Sequence, residues 1–173
     1  MTRSRSRLGP GDWIAWIRLV AAPFALLEVA IERGNYPEGD ERWGWAIGAA
    51  FAAGAVAFFE AHRRRLAPRA LAGGGLVFDT AVVSAYVVLY GFEPSSPVRQ
   101  LLILVVIEAA LRYGRTGALW AATSAPALAV FEWRASERLD VPYDPGHVIF
   151  PIGLQLLVGL IVGTLARRAA KDA

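Results

Sequence analysis

Cysteine is absent from this chain, which excludes disulfides, thiolate nucleophiles and Cys-ligated metals together. Lysine occurs only as Lys171, so the net charge of +3 comes almost wholly from arginine. The arginines fall in short clusters between apolar runs rather than along one face, which speaks for topology signals and against a nucleic-acid footprint. Histidine is nearly missing: His62 and His147 belong to opposite sides of any membrane the apolar runs cross, so they cannot share a metal or haem in one subunit. No G-x-S-x-G elbow, H-E-x-x-H helix or Walker A loop occurs. A phospholipid-synthesising CDP-alcohol transferase would need a D-G-x-x-A-R aspartate cluster, and Asp12 and Asp79 do not supply one. Catalytic residues, cofactors and metals are therefore not expected. Internal repeats, low-complexity tracts and interdomain linkers are lacking as well.

What the chain has is apolar surface. Hydrophobic residues make up 55% of 173 positions and the mean hydropathy is +0.41, too apolar for an ordinary soluble domain of that size. Six apolar segments stand out, at residues 13–31, 43–59, 70–92, 97–113, 116–133 and 148–166. Each is close to the roughly 20 residues that cross a 30 Å hydrocarbon core as a helix. Turn chemistry separates them: Gly34-Asn35-Tyr36-Pro37, Pro94-Ser95-Ser96-Pro97, Tyr113-Gly114, and 140–146 with two prolines. The first segment follows a basic arm as in a signal peptide, but it is as long as a full span and has no A-x-A site. It is expected to stay as the first helix.

The expected fold is an all-α, six-helix transmembrane bundle at 13–166, with an N-terminal arm at 1–12 and a tail at 167–173. Orientation follows from the basic residues. Twelve lie on one side (Arg3, Arg5, Arg7; Arg63, Arg64, Arg65, Arg69; Arg112, Arg115; Arg167, Arg168, Lys171) and five on the other (Arg33, Arg42, Arg99, Arg134, Arg138). Both termini are thus expected in the cytoplasm of a cell whose inner membrane holds the chain. Acids collect in the opposite loops, and Trp13, Trp43, Trp45 and Trp133 stand at segment ends, as an interfacial belt requires.

Ionisable residues inside such helices carry the functional interest, because each costs about 2.5–3.5 kcal/mol at membrane depth and must find a partner. Glu108 and Arg112 are four apart, on one helix face. With Arg18 and Asp79 they fall in the inner half of the membrane, and a network of Arg18 with Asp79 or Glu108, and of Arg112 with Glu108, would neutralise all four. Such a cluster acts either as structural glue or as a proton relay or packing switch. Glu28, Glu60 and Glu132 read as solvated helix ends. Gln155, Thr123 and Ser124 lie near mid-depth, as interhelical hydrogen-bonding groups or ligand contacts. Pro23 and Pro126 should kink the first and fifth helices. Gly159 and Gly163 form a GxxxG element, a candidate dimer seam; Ala50 and Gly54 give a weaker version.

The pieces RLVAAPFALLEVAIERGNYP (18–37), FDTAVVSAYVVLYGFEPSSPVRQLL (78–102), VVIEAALRYGRTGALWA (105–121) and GLQLLVGLIVG (153–163) together resemble the six-helix N-terminal membrane sensor region of bacterial sensor histidine kinases, and of related chains with GAF or diguanylate cyclase output. The E-x-x-L-R-Y-G element, here Glu108, Leu111, Arg112, Tyr113 and Gly114, is the sharpest part of the likeness. The resemblance implies a sensory input module of a two-component or related system, a homodimer in the lipid bilayer, and a cytoplasmic kinase or cyclase output in cis or trans. It implies no enzymatic activity for these residues, which include no phosphoacceptor-histidine segment and no ATP-binding glycine box. The competing expectations are a small transporter or proton-coupled channel, which needs a polar path, and a structural membrane subunit, which a static paired cluster would suit.

Overall fold

A computed structural model describes residues 10–64, 66 and 68–172. Residues 1–9, with Arg3, Arg5 and Arg7 of the basic arm, lie outside the described residues, as does Arg65. Among the described residues every regular element is helical and none is a strand. The chain divides into two compact units, 1–75 and 76–173.

The first unit is a helical hairpin. Helix α1 (Pro10–Ile31) ends in a short 3₁₀ turn at Glu32–Gly34, and the chain returns as α2 (Glu41–Arg63). The face of α1 that packs inward repeats every seven residues, Ala15, Ala22 and Val29, all buried. Helix α2 meets it with Gly44, Gly48 and Ala55. Small residues in register let two backbones approach where no water drives association. A Cβ at Gly44 would lie 3.2 Å from the Val29 side chain. The large apolar side chains point the other way: Trp16, Ile17, Val20, Phe24, Leu27 and Ile31 are exposed. Pro23 is accommodated within α1. The start of α3 (Pro68–Leu89) belongs to this unit.

The second unit holds the rest of α3, a 3₁₀ turn at Tyr90–Phe92, and α4 (Leu101–Tyr113), entered through a 3₁₀ turn at Pro97–Gln100 that Ser96 caps by accepting from the Val98 N–H. An eleven-residue 3₁₀ stretch, Gly114–Ser124, then leads into α5 (Ala125–Leu139), and α6 (Gly146–Ala169) closes the unit. Helix α4 buries Leu102, Val105, Val106, Ala109 and Ala110, a stripe at the i, i+3, i+4, i+7, i+8 spacing of a helix with one inward face. Leu76, Val105 and Ala109 form a core against which Val83 and Trp120 pack. The Trp120 indole N–H donates to Thr80 Oγ1 at 2.8 Å, and the Thr80 hydroxyl donates to the Leu76 carbonyl at 2.7 Å. A half-buried indole thereby finds its acceptor.

Four helices are long and apolar enough to cross a bilayer: Ile14–Gly34, Glu41–Arg63, Ala70–Phe92 and Gly146–Ala169. Only 17–50% of each apolar window is buried within the protein. So much uncovered apolar surface calls for lipid as its solvent. The apolar segments at 97–113 and 116–133 take another form, a thirteen-residue α4 and a 3₁₀ stretch joined to α5. Pro126 does not kink a continuous helix; it stands in the first turn of α5, where its missing N–H costs nothing.

Candidate functional site

The break between α4 and the 3₁₀ stretch organises the second unit. Gly114 takes φ +64°, ψ −142°, a conformation open to glycine and strained for other residues. The chain doubles back so closely that a Cβ on Gly117 would lie 2.1 Å from the Ala109 carbonyl oxygen. Helix α6 closes over the same place with its own glycines. A Cβ on Gly159 would meet Ala118 and the Val106 side chain at 2.9 Å, and one on Gly163 would meet the Gly114 carbonyl at 2.5 Å. Gly159 and Gly163, the GxxxG element, thus pack within the chain, with the close backbone approach that such glycines allow made to the 3₁₀ stretch and to Val106 of α4.

At the C-terminal end of α4, Arg112 donates from Nε (3.0 Å) and Nη2 (2.7 Å) to Glu108 Oε1. The side chains are 16% and 12% exposed, so this is a mostly buried pair rather than a solvated i,i+4 contact. Around it, Arg115 donates to Thr164 Oγ1 at 3.1 Å, and Arg167 Nη2 reaches the Tyr113 carbonyl at 3.5 Å. Two arginines, Arg115 and Arg167, thus tie the end of α4 and the start of the 3₁₀ stretch to the end of α6.

Asp79 is half-buried on α3 in this unit, while Arg18 belongs to the first unit, buried on α1. The Arg18 guanidinium lies over the Phe58 ring, 5.4 Å from its centroid, and against Gly75, where a Cβ would stand 2.7 Å from Nη2. Gln155 is 1% exposed, and its Oε1 has no hydrogen-bond partner among the described residues. Ser124 is buried at the end of the 3₁₀ stretch. Thr123 is exposed and donates back to the Trp120 carbonyl, so it is spent locally rather than between helices.

Glu132 departs from the sequence reading. Helix α5 runs six residues past Trp133, to Leu139, so Glu132 stands inside a helix, 7% exposed, with His147 Nδ1 at 2.9 Å. Glu28 is exposed and Glu60 pairs with Arg63 and Arg64, as helix-end acids do. Two further arginine contacts on this unit carried no signal in sequence: Arg134 donates to the Val88 carbonyl at 2.9 Å, and Arg99 lies 5.7 Å over the Phe131 ring. The turn residue Asp140, at φ +52° after α5, marked the true helix end and with it the position of Glu132. Among the described residues no group of three His, Asp or Glu side chains is placed to hold a metal.

Apolar helices with uncovered outer faces, and polar groups gathered where two helices end, define a class: a multi-pass helical membrane protein. No family model, curated protein or solved structure matches this chain.

Proposed function

We propose that the chain is the membrane-embedded input module of a bacterial signalling system, in which a stimulus changes helix packing and α6 passes the change to a cytoplasmic kinase or cyclase output. The observation that carries this reading is the eleven-residue 3₁₀ stretch clasped between α4 and α6. Runs beyond three or four residues are uncommon, and a stretch within a longer helical segment often marks a hinge. Relaxing eleven residues from a rise of about 2.0 Å to about 1.5 Å would shorten the segment by about 5 Å, close to one helical turn. Gly159 and Gly163 have no side chains to lock α6 against such a slide. The buried Glu108–Arg112 pair sits at its pivot, where a bias of a few kcal/mol decides between two packings.

In this reading all six apolar segments cross the inner membrane and both termini are cytoplasmic. Stretching supports it, since the 3₁₀ and α portions of 116–133 together reach about 31 Å and those of 97–113 about 28 Å, near the hydrocarbon thickness. The arginine distribution supports the orientation. A fused output tests both parts at once. A histidine kinase core joined after Ala173 is expected to work in cells, because its ATP is cytoplasmic, and Arg112→Gln is expected to change its output several-fold. Maleimide that cannot cross the membrane should label Tyr143→Cys from outside. An inactive fusion, an output indifferent to Arg112→Gln, or an unlabelled Cys at that position would count against the reading.

A further inference from the structure

At the end of α4 and α6 the second unit has a surface cleft of about 280 Å³, lined by Arg112, Tyr113, Gly114 and Arg167 together with Leu111 and Ala170. We infer that this cleft binds the anionic phosphodiester of a phospholipid headgroup. The inference rests on the helices lying in a bilayer and is independent of the signalling role.

Charge comes first. Two guanidinium groups line the cleft and no carboxylate does. Arg112 spends Nε and Nη2 on Glu108, which leaves the Nη1 side of its fork. Arg167 makes no ion pair with a carboxylate among the described residues and reaches only the Tyr113 carbonyl, at 3.5 Å, the outer limit of a hydrogen bond. A planar fork with unspent donors suits a phosphate oxygen pair. Gly114 makes the arrangement possible, since its missing Cβ leaves the space that the Arg167 side chain fills; a Cβ there would stand 2.2 Å from Arg167 Nε.

Depth comes second. Helix α6 has 24 residues, about 36 Å of helix against a hydrocarbon core of about 30 Å. Its last turn, with Arg167, therefore emerges at the level where phosphate groups lie. The surroundings fit a lipid rather than a free ion: Leu111 and Tyr113, which line the cleft, are 55% and 45% exposed. Acyl chains would run along these side chains while Tyr113 marks the headgroup level.

Native mass spectrometry of the full chain, released from detergent with defined lipids, tests the assignment. Phosphatidylglycerol is expected to be retained several-fold more than phosphatidylcholine, whose choline cation the arginines repel. Arg167→Gln, at an exposed position and with circular dichroism matching the parent, should lower that retention about five-fold, the worth of one arginine at a membrane surface. Arg138→Gln, an exposed arginine at the end of α5, should leave it unchanged. Equal retention of the two lipids, or an Arg167→Gln protein indistinguishable from the parent, would overturn the proposal. Inorganic phosphate displacing phosphatidylglycerol at equal concentration would also overturn it and assign the cleft to a free anion.

Discussion

Gly117→Ala is expected to cost about 3 kcal/mol or more, the upper end of overpacking. The added methyl would stand 2.1 Å from the Ala109 oxygen, 2.4 Å from its carbonyl carbon and 2.7 Å from the Ala110 nitrogen. All three are backbone atoms, so no side-chain rotation relieves the clash, and α4 would have to part from the 3₁₀ stretch. That would in turn disturb Trp120 and its hydrogen bond to Thr80. Gly153→Ala is the internal control, because it lies on α6 with nothing within 4 Å of the new Cβ. It should be neutral or gain up to about 1 kcal/mol from helix propensity. Unfolding in mixed micelles followed by circular dichroism separates the two. Equal stability of Gly117→Ala and the parent would mean that the close approach at the turn does not exist.

Arg112→Leu is expected to cost about 2 kcal/mol. Removing one partner of a buried pair typically costs about 3–5 kcal/mol because the other charge is stranded; here both groups keep some exposure, which reduces the figure. Glu108→Gln alone strands the Arg112 charge but keeps an amide oxygen that can accept from the guanidinium, so it should cost less. The double variant should be more stable than the sum of the single effects by about 1 kcal/mol. Simple additivity in the same micelle titration would show that the pair is idle.

The apolar character of the helices was legible in sequence because it depends on composition. The small-residue contacts of the first hairpin were not: the sequence pointed to Ala50 and Gly54, whereas the buried small residues of α2 are Gly44, Gly48 and Ala55. The pairing of Glu108 with Arg112 was legible because it is local, fixed by the i,i+4 geometry of one helix. What could not be read depends on partners distant in the chain. A 3₁₀ run and an α-helix of the same composition differ little in hydrophobic pattern, and GRTGALWAATS carries no mark to tell them apart. That stretch in turn supplies the surface against which Gly159 and Gly163 pack, so their partner was equally hidden. Glu132 was misread for another reason: the apolar segment ends at Trp133, but α5 continues through polar residues to Leu139, with His147 beside the buried acid. Helix length and apolar length are different quantities.

The central claim is that α6 and the 3₁₀ stretch have two packings biased by the Glu108–Arg112 pair. The absence of native cysteine makes the direct measurement clean. Nitroxide labels placed by Leu119→Cys and Ile161→Cys, at positions 69% and 61% exposed on the two elements, report their separation in lipid nanodiscs by pulsed electron resonance. The account predicts a distance distribution that shifts by about 5 Å, or splits into two populations, when Glu108→Gln is introduced. A single distance, unchanged by that substitution, would contradict it.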